Sequence, residues 1–482
     1  MDLIFDQSQK GRRGATLPEW IAPDIDAARW LPGDMLRDEP APLPEVTEPE
    51  VVRHFTRLSQ QNFSIDTHFY PLGSCTMKYN PRLCEDAARL DGFASLHPLA
   101  DAADARGMLE LLARLENWLG AICAMDAFTL NPLAGAHGEF CGMAIIQAYH
   151  GHHEGKPRPT VLIPESAHGT NPASAALSGM TVRAIRCLDD GTTDLADLGR
   201  NLGEEVAGMM LTNPNTVGVF EPRIREIAEK VHAAGGLMYY DGANLNAIAG
   251  LVRPGDMGFD VVHVNVHKTF STPHGGGGPG SGPVGVKSLL EPFLPIPRLL
   301  RGDNGDLSLT EARPLSIGRL GAFQGNVGVL VRAFAYILLH GLEGLRQNSR
   351  MAVLNANYLR ARLRDHFLVP YPQHCMHEFV ISLSDVAKAT GVKAGDFAKR
   401  LLDYGFHAPT VYFPQIVPEC FLVEPTETET RATLDAFAEA LVAIKAEAAN
   451  DPETVKKAPS RMPVARLDEY RAAMQLDASY FG

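Results

Sequence analysis

The chain has 482 residues, of which 45% are hydrophobic and 21% charged, so a large buried core is within its reach. Its 44 basic against 57 acidic side chains leave a formal net charge of −13, which excludes phosphate-backbone binding as the main activity, because nucleic-acid readers present a basic face. No apolar run reaches the roughly 20 residues that cross a bilayer, and the first residues lack the apolar stretch of a secretory signal. A soluble globular chain is expected, with neither a membrane nor a nucleic acid among its partners. Seven scattered cysteines (Cys75, Cys84, Cys123, Cys141, Cys187, Cys375 and Cys420) show no CxxC or Cys/His zinc spacing. They read as free thiols in a reducing compartment, and a cytoplasmic location follows.

Residues 1–95 are rich in proline and acid, as in Pro40-Ala41-Pro42-Leu43-Pro44, and are expected to wrap another surface as an amino-terminal arm. From Arg106 the texture changes: Met108, Leu111, Leu112, Leu115 and Leu119 recur at helical spacing. Short β-type runs at 160–163, 181–185, 209–211, 237–240 and 261–266 then alternate with helical runs. One of these helices is opened by Pro222, carries Ile224, Ile227 and Val231, and is closed by Gly235-Gly236. The alternation predicts a mostly parallel sheet in a large α/β domain over 96–342. An apolar helix over 329–342 leads out of it. A smaller α+β domain is expected over 343–448, with a strand at 378–383 and a helix at 434–448, followed by a polar tail over 449–482.

Four stretches carry chemistry. Lys268 follows a buried strand directly, at the mouth of the sheet where ligands of α/β folds lie, and precedes the glycine-rich run 275–282. Desolvation there suits an amine that forms a Schiff base, although a single lysine before a flexible loop is also an ordinary surface feature. Asp241 ends a strand and is followed by Gly242-Ala243-Asn244; it suits pairing with a pyridinium nitrogen, or equally an N-cap in a βα turn. Ala134-Gly135-Ala136-His137-Gly138-Glu139 opens a helix, where backbone N–H groups and the dipole favour an anion. His168 follows a strand, and its flat ring can stack on a cofactor or serve as a hydrogen-bonded loop residue. An anion cup, a ring stacker, an acid and a lysine in that order describe a site for pyridoxal phosphate (PLP). The cluster His150, His152 and His153 reads as a solvated helix end, because no third-ligand spacing supports a metal.

Longer motifs resemble one family. They are Leu3-Ile4-Phe5-Asp6 with Gly11-Arg12-Arg13-Gly14, Phe69-Tyr70-Pro71-Leu72-Gly73-Ser74-Cys75-Thr76-Met77-Lys78, Gly135-Ala136-His137-Gly138-Glu139, Asn213-Pro214-Asn215-Thr216, Asp241-Gly242-Ala243-Asn244, His267-Lys268-Thr269-Phe270, Ser316-Ile317-Gly318-Arg319, Gly405-Phe406-His407-Ala408-Pro409-Thr410 and Glu424-Pro425-Thr426-Glu427-Thr428-Glu429. Together they resemble the glycine decarboxylase P-proteins of the glycine cleavage system, in the second-subunit form of the split bacterial enzymes. The resemblance implies a fold-type-I PLP-dependent transferase of aspartate-aminotransferase type, with PLP covalent at Lys268. It further implies Asp241 at the ring nitrogen, His168 on the ring face, Ala134, Gly135 and Ala136 at the phosphate, and Thr212 and Ala243 as further cofactor residues.

The implied reaction decarboxylates glycine and passes the aminomethyl group to the oxidised lipoyl arm of the H-protein, releasing CO2. The implied assembly is an α2β2 heterotetramer with a separate subunit 1. Aminotransferases hold the substrate carboxylate with a small-domain arginine, but none of Arg364, Arg400 and Arg431 matches it convincingly. Ser74, Thr76 and Arg319 are the candidates instead. Cys75 reads as a small packed residue or as a redox group facing the lipoyl disulfide. Another PLP enzyme acting on a small amino acid, or a non-catalytic partner subunit, are the competing readings; the 73–78 and 424–429 motifs oppose the first, and Lys268 beside Asp241 opposes the second.

Overall fold

The computed structural model describes residues 2–480 except 17, 19, 20, 22–25 and 372. Two compact units are distinguished: Met1–Phe63 with Arg461–Gly482, and Ser64–Ser460. In the first, the helix Glu48–Gln60 is opened by a capping box in which Glu50 accepts from the Thr47 N–H at 2.7 Å and from its hydroxyl at 2.8 Å. Tyr480 stacks on Phe5 and donates to Asp6.

The larger unit is built on a seven-stranded sheet. Its strands are β1 (Ala127–Thr129), β2 (Thr160–Pro164), β3 (Thr181–Ile185), β4 (Val206–Thr212), β5 (Leu237–Gly242), β6 (Val261–Val264) and β7 (Val284–Val286), in the order β1-β7-β6-β5-β4-β2-β3. Strands β3, β2, β4, β5 and β6 are parallel; β7 runs antiparallel to both β6 and β1. Every residue of β2, β4, β5 and β6 is buried, as parallel strands covered on both faces require. Alternate side chains serve opposite layers. Leu162, Met209, Met238, Tyr240 and Val262 pack with the helix Arg106–Cys123, whereas Val161, Met210, Tyr239 and Val261 pack with the helix Gly135–Glu154.

The apolar run ending at Val266 predicts a strand throughout, but β6 stops at Val264. Pairing with β7 ends at His263, and the Asn265 carbonyl then accepts the N–H groups of Lys268 and Thr269, so Val266–Thr269 forms one helical turn. The run thus places Lys268 on a helix terminus just beyond the sheet. The solvated helix end expected for His150 is corrected: the ring is fully buried, with Nε2 2.9 Å from the Ala207 carbonyl and Nδ1 3.2 Å from Glu154, while His152 and His153 face solvent.

A hairpin of β8 (Arg298–Arg301) and β9 (Leu307–Thr310) precedes the long helix Val327–Leu363. That helix is interrupted at Gly341, whose φ of 58° is left-handed and suits a residue without Cβ. A second sheet follows, in the order β10-β12-β11, with β10 (Phe379–Ser382), β11 (Thr410–Val411) and β12 (Cys420–Val423). It packs its own core of Phe379, Ile381, Phe421 and Val423 against Phe397, Phe437 and Leu441. The helix Pro452–Lys456 closes the unit with Val455 and Ala458 buried and with Ser460 N–H on Asp403.

One buried cation ties four segments together. Lys78, 2% exposed, donates to the Thr269 carbonyl at 2.8 Å, to Glu427 at 2.9 Å and to the Tyr336 hydroxyl at 3.0 Å. Burial opposes its charge, but Glu427 and Tyr336 outweigh that and raise its pKa above the ordinary lysine value. Replacement Lys78→Met leaves the Glu427 carboxylate buried without its partner. It is expected to cost about 3–5 kcal/mol, whereas the double replacement with Glu427→Leu costs less than the single one. Denaturant unfolding of the two variants measures the difference, and a K78M cost equal to or below that of the pair removes the ion pair from this role.

Candidate active site

A cavity of about 160 Å³ lies at the carboxyl ends of the parallel strands, where open α/β sheets place their ligands. Of the residues expected to serve it, Lys268, Asp241, His168, Gly135, Ala136, Thr212, Ala243 and Ser74 all line it. Ala134 stands just outside as the N-cap of the helix whose first turn faces the cavity. The remaining two candidates are not in its wall. Thr76 is buried, with its hydroxyl given to Glu424 at 2.7 Å, and Arg319 is exposed and paired with Glu311.

Asp241 closes β5, and its Oδ1 accepts the Ala243 N–H at 3.0 Å while its Oδ2 accepts the Thr212 hydroxyl at 3.3 Å. Burial raises the carboxyl, but His263, the Ala243 N–H and the charge of Lys268 together hold it below the ordinary carboxylate value. His263 Nδ1 lies 2.7 Å from the Tyr239 hydroxyl, and its Nε2 approaches Asp241 Oδ1 to 3.5 Å without a hydrogen bond. Burial and the Lys268 charge lower the pKa of His168, whose Nδ1 accepts the Thr170 N–H at 3.2 Å. Its ring packs edge-on against Phe413 at 5.2 Å.

The helix Gly135–Glu154 begins beside β6. A Cβ at Gly135 would approach Asn265 Oδ1 to 2.3 Å, so glycine here lets the helix terminus sit against the Asn265 side chain as it stands. Its first N–H groups have no acceptor within the helix. Asn265 Oδ1, Ser74 Oγ and His274 Nδ1 are buried without a hydrogen-bond partner. Burial and the Lys268 charge push His267 down to about 3 and His274 down to about 4, so both rings are neutral. In the glycine-rich run, residues 275–278 are exposed, and His274 at its start reaches the cavity.

Glu139 also lines the cavity, and it lies inside a motif already singled out. It is 4% exposed and accepts hydroxyls from Thr170 at 2.8 Å and Ser174 at 3.1 Å. Burial, with the charge of Asp241, pushes its carboxyl up to about 8. Glu139, Asp241 and His263 place ligand-type atoms within 4.8 Å of one another, as do His377, Glu378 and Glu424. In both groups protein hydrogen-bond donors already occupy the carboxylates, which favours proton sharing over cation binding. The three arginines of aminotransferase type stay away from the cavity: Arg400 forks onto Glu447 and Asp403, Arg431 lies over Tyr358, and Arg364 faces Asp365.

Because Glu139 keeps its proton in the fold up to about pH 8, its contribution to stability is complete below about 4.5 and is lost as pH rises through 8. Glu139→Gln keeps a neutral group at every pH. The thermal midpoint of the variant, compared with the parent, is expected to move in the variant's favour between pH 5 and pH 8; a difference independent of pH shows an ionised Glu139.

Comparison with known proteins follows the same chemistry. Residues 348–463 match the family described as "Glycine dehydrogenase, C-terminal domain". The chain is 58% identical over 481 residues to the protein of Methylococcus capsulatus named "Probable glycine dehydrogenase (decarboxylating) subunit 2", covering 99% of this chain and 98% of that one. It is 55% identical over 472 residues to the like-named protein of Caldanaerobacter subterraneus, covering 98% and 97%. Among solved structures, inhibitor-bound glycine decarboxylase (P-protein) of the glycine cleavage system superposes with a TM-score of 0.72 at 22% identity, covering 87% of this chain and 94% of that one. A glutamate decarboxylase of Lactobacillus brevis superposes at 0.63 with 13% identity, covering 87% and 97%. The fold is that of the fold-type-I PLP enzymes.

Proposed function

The chain belongs to the glycine dehydrogenase (decarboxylating) subunit 2 family, and on that premise we propose that it is the lysine-bearing subunit of a glycine decarboxylase. It decarboxylates glycine and transfers the aminomethyl group to the oxidised lipoyl arm of the H-protein, in an α2β2 assembly with subunit 1. The observation that carries this reading is the meeting of Lys268, Asp241 and His168 in one cavity of about 160 Å³. The cytoplasm is the proposed location, supported by seven free cysteines.

Pyridoxal phosphate suits these residues. The first turn of the helix Gly135–Glu154 offers N–H groups and a positive dipole end to a phosphate, with Ala134, Gly135 and Ala136 in place for it. Partnerless Asn265 Oδ1 and Ser74 Oγ supply polar atoms to the same cavity. Lys268 offers the amine, Asp241 a carboxylate for the ring nitrogen, His168 a flat ring, and Thr212 and Ala243 steady Asp241. Bound at Lys268, the cofactor supplies an electron sink for the pair left on the α-carbon when CO2 departs.

The protein's share is orientation and charge. Asp241, ionised, keeps a proton at the ring nitrogen, and the Ala243 N–H and the Thr212 hydroxyl keep Asp241 in place. Glu139, neutral, adds no second negative charge beside it. His168 is turned by the Thr170 N–H, which leaves one imidazole face to the cavity. Of the three carboxylate candidates, Ser74 is favoured, since its hydroxyl is without a partner while Thr76 serves Glu424 and Arg319 is remote in the surface pair with Glu311. In the overall exchange the C–CO2 bond breaks, its electron pair forms the carbon–sulfur bond, and the second lipoyl sulfur leaves with a proton as a thiol.

The test is exchange of labelled bicarbonate into the glycine carboxyl, with PLP and lipoylated carrier, for this chain alone and mixed with a subunit 1. Exchange is expected in the mixture. Lys268→Ala is expected to abolish it together with the visible band of lysine-bound pyridoxal. Asp241→Asn, which removes a charge aimed at the ring, is expected to lower the rate by about 10²–10³. A visible band without any exchange in the mixture keeps the cofactor and rejects the glycine reaction.

A further inference from the structure

Behind Ser74 lies a pair of acids that the reaction above does not use. Glu378 directly precedes β10 and Glu424 directly follows β12, and those strands pair antiparallel with Phe379 opposite Val423. The two carboxylates therefore emerge side by side at one sheet edge, and both are 0% exposed. Their oxygens and a ring nitrogen of His377 lie within 4.8 Å of one another.

The arm turn wraps this pair. Ser74 N–H donates to Glu378 Oε2 at 2.8 Å, and Thr76 donates to Glu424 through its N–H at 3.0 Å and its hydroxyl at 2.7 Å. From the other side Asn244 Nδ2 reaches Glu378 Oε1 at 3.3 Å and Asn246 Nδ2 reaches Glu424 Oε1 at 3.0 Å. Ser74 and Thr76 take φ of 62° and 50°, left-handed values uncommon for residues with a Cβ. Such backbone persists only where its surroundings over-determine it, and here the two carboxylates do so. Ser74 and Asn244 both line the cavity.

Two carboxylates this close and out of water cannot both be ionised without a cation to compensate. The titratable groups that face them are Lys268, His377 and Cys75. Burial pushes His377 down to about 3 and raises the Cys75 thiol, so both are neutral and, among the described residues, Lys268 is the charge that opposes the pair. Burial raises the Glu424 carboxyl to about 7, and burial, with the charge of Glu424, holds Glu378 well above the ordinary carboxylate value.

We propose that Glu378 and Glu424 share one proton and, in that singly ionised state, act as positioning residues that hold Ser74 and Asn244 in the cavity wall against the substrate carboxylate. The pair acts through Ser74 and Asn244, and the substrate part rests on the glycine reading above. Loss of the shared proton places a second negative charge behind the carboxylate subsite, so affinity for glycine falls with rising pH.

The holoenzyme with subunit 1 is compared with E378Q and E378A by two readouts: amide hydrogen exchange of the 70–78 segment, and the pH dependence of KM and kcat for glycine in bicarbonate exchange. The neutral amide of E378Q stands in for the protonated acid. It is expected to keep segment protection within about twofold of the parent and to remove the alkaline rise in KM, since only one acid remains. E378A is expected to accelerate exchange of the segment more than tenfold, and to raise KM more than it lowers kcat. If E378Q opens the segment as far as E378A, the shared proton is refuted. If E378A alters neither protection nor KM, the positioning role is refuted, and an alkaline rise that persists in E378Q refutes the link to the pair. A chain with no bicarbonate exchange at any pH, yet with the expected protection pattern, overturns the glycine reading and upholds the pair's hold on the arm.

Discussion

The buried ammonium of Lys78 is the contact on which the arrangement depends. It belongs to the arm, yet its three acceptors come from the turn that bears Lys268, from the long helix and from the segment after β12. A charge removed from water is tolerated only where its partners are complete, so these four segments are obliged to meet in one geometry. The carbonyl it holds belongs to Thr269, the residue next to the lysine whose amine faces the cavity. A cation that never touches the cavity thereby fixes where the reactive one stands.

The cavity itself is a study in keeping one negative charge and suppressing others. Four acids surround the same lysine from different elements: Asp241 at the end of β5, Glu139 on a helix and the Glu378–Glu424 pair at the edge of the second sheet. All are buried, but only Asp241 is given a histidine and a backbone N–H strong enough to overcome desolvation. Hydroxyl donors at Glu139 do not offset its burial, and burial likewise governs the pair, with the charge of Glu424 adding to it at Glu378. Environment rather than residue type thus assigns the ionised role, as it does wherever two carboxyls must serve different ends.

Much of the fold was legible because the central strands are buried on both faces and read as unbroken apolar runs, as in 237–240. The strands β1 and β7 were not, since three residues such as Ala127–Thr129 carry no periodicity and depend on each other across the sheet. Lys268, Asp241 and His168 could be picked out because each stands at, or within four residues of, the carboxyl end of a strand, a local signal. Glu378 and Glu424 flank strands as well, but their meaning comes from Ser74 and Thr76, 304 and 348 positions away. Arg319 lies outside the cavity wall for the converse reason. A motif marks it, but its guanidinium finds Glu311 at the surface.

Those separations have a consequence for synthesis. The arm turn is among the first parts of the chain to leave the ribosome, while its acceptors Glu378, Glu424 and Glu427 are among the last. Lys268, Asp241 and the parallel strands can assemble beforehand, but the wall carrying Ser74 takes its shape only when the second sheet is complete. A nascent chain stopped before residue 424 therefore holds Lys268, Asp241 and His168 and still lacks the carboxylate that accepts from Thr76, so the finished cavity wall is a property of the completed polypeptide.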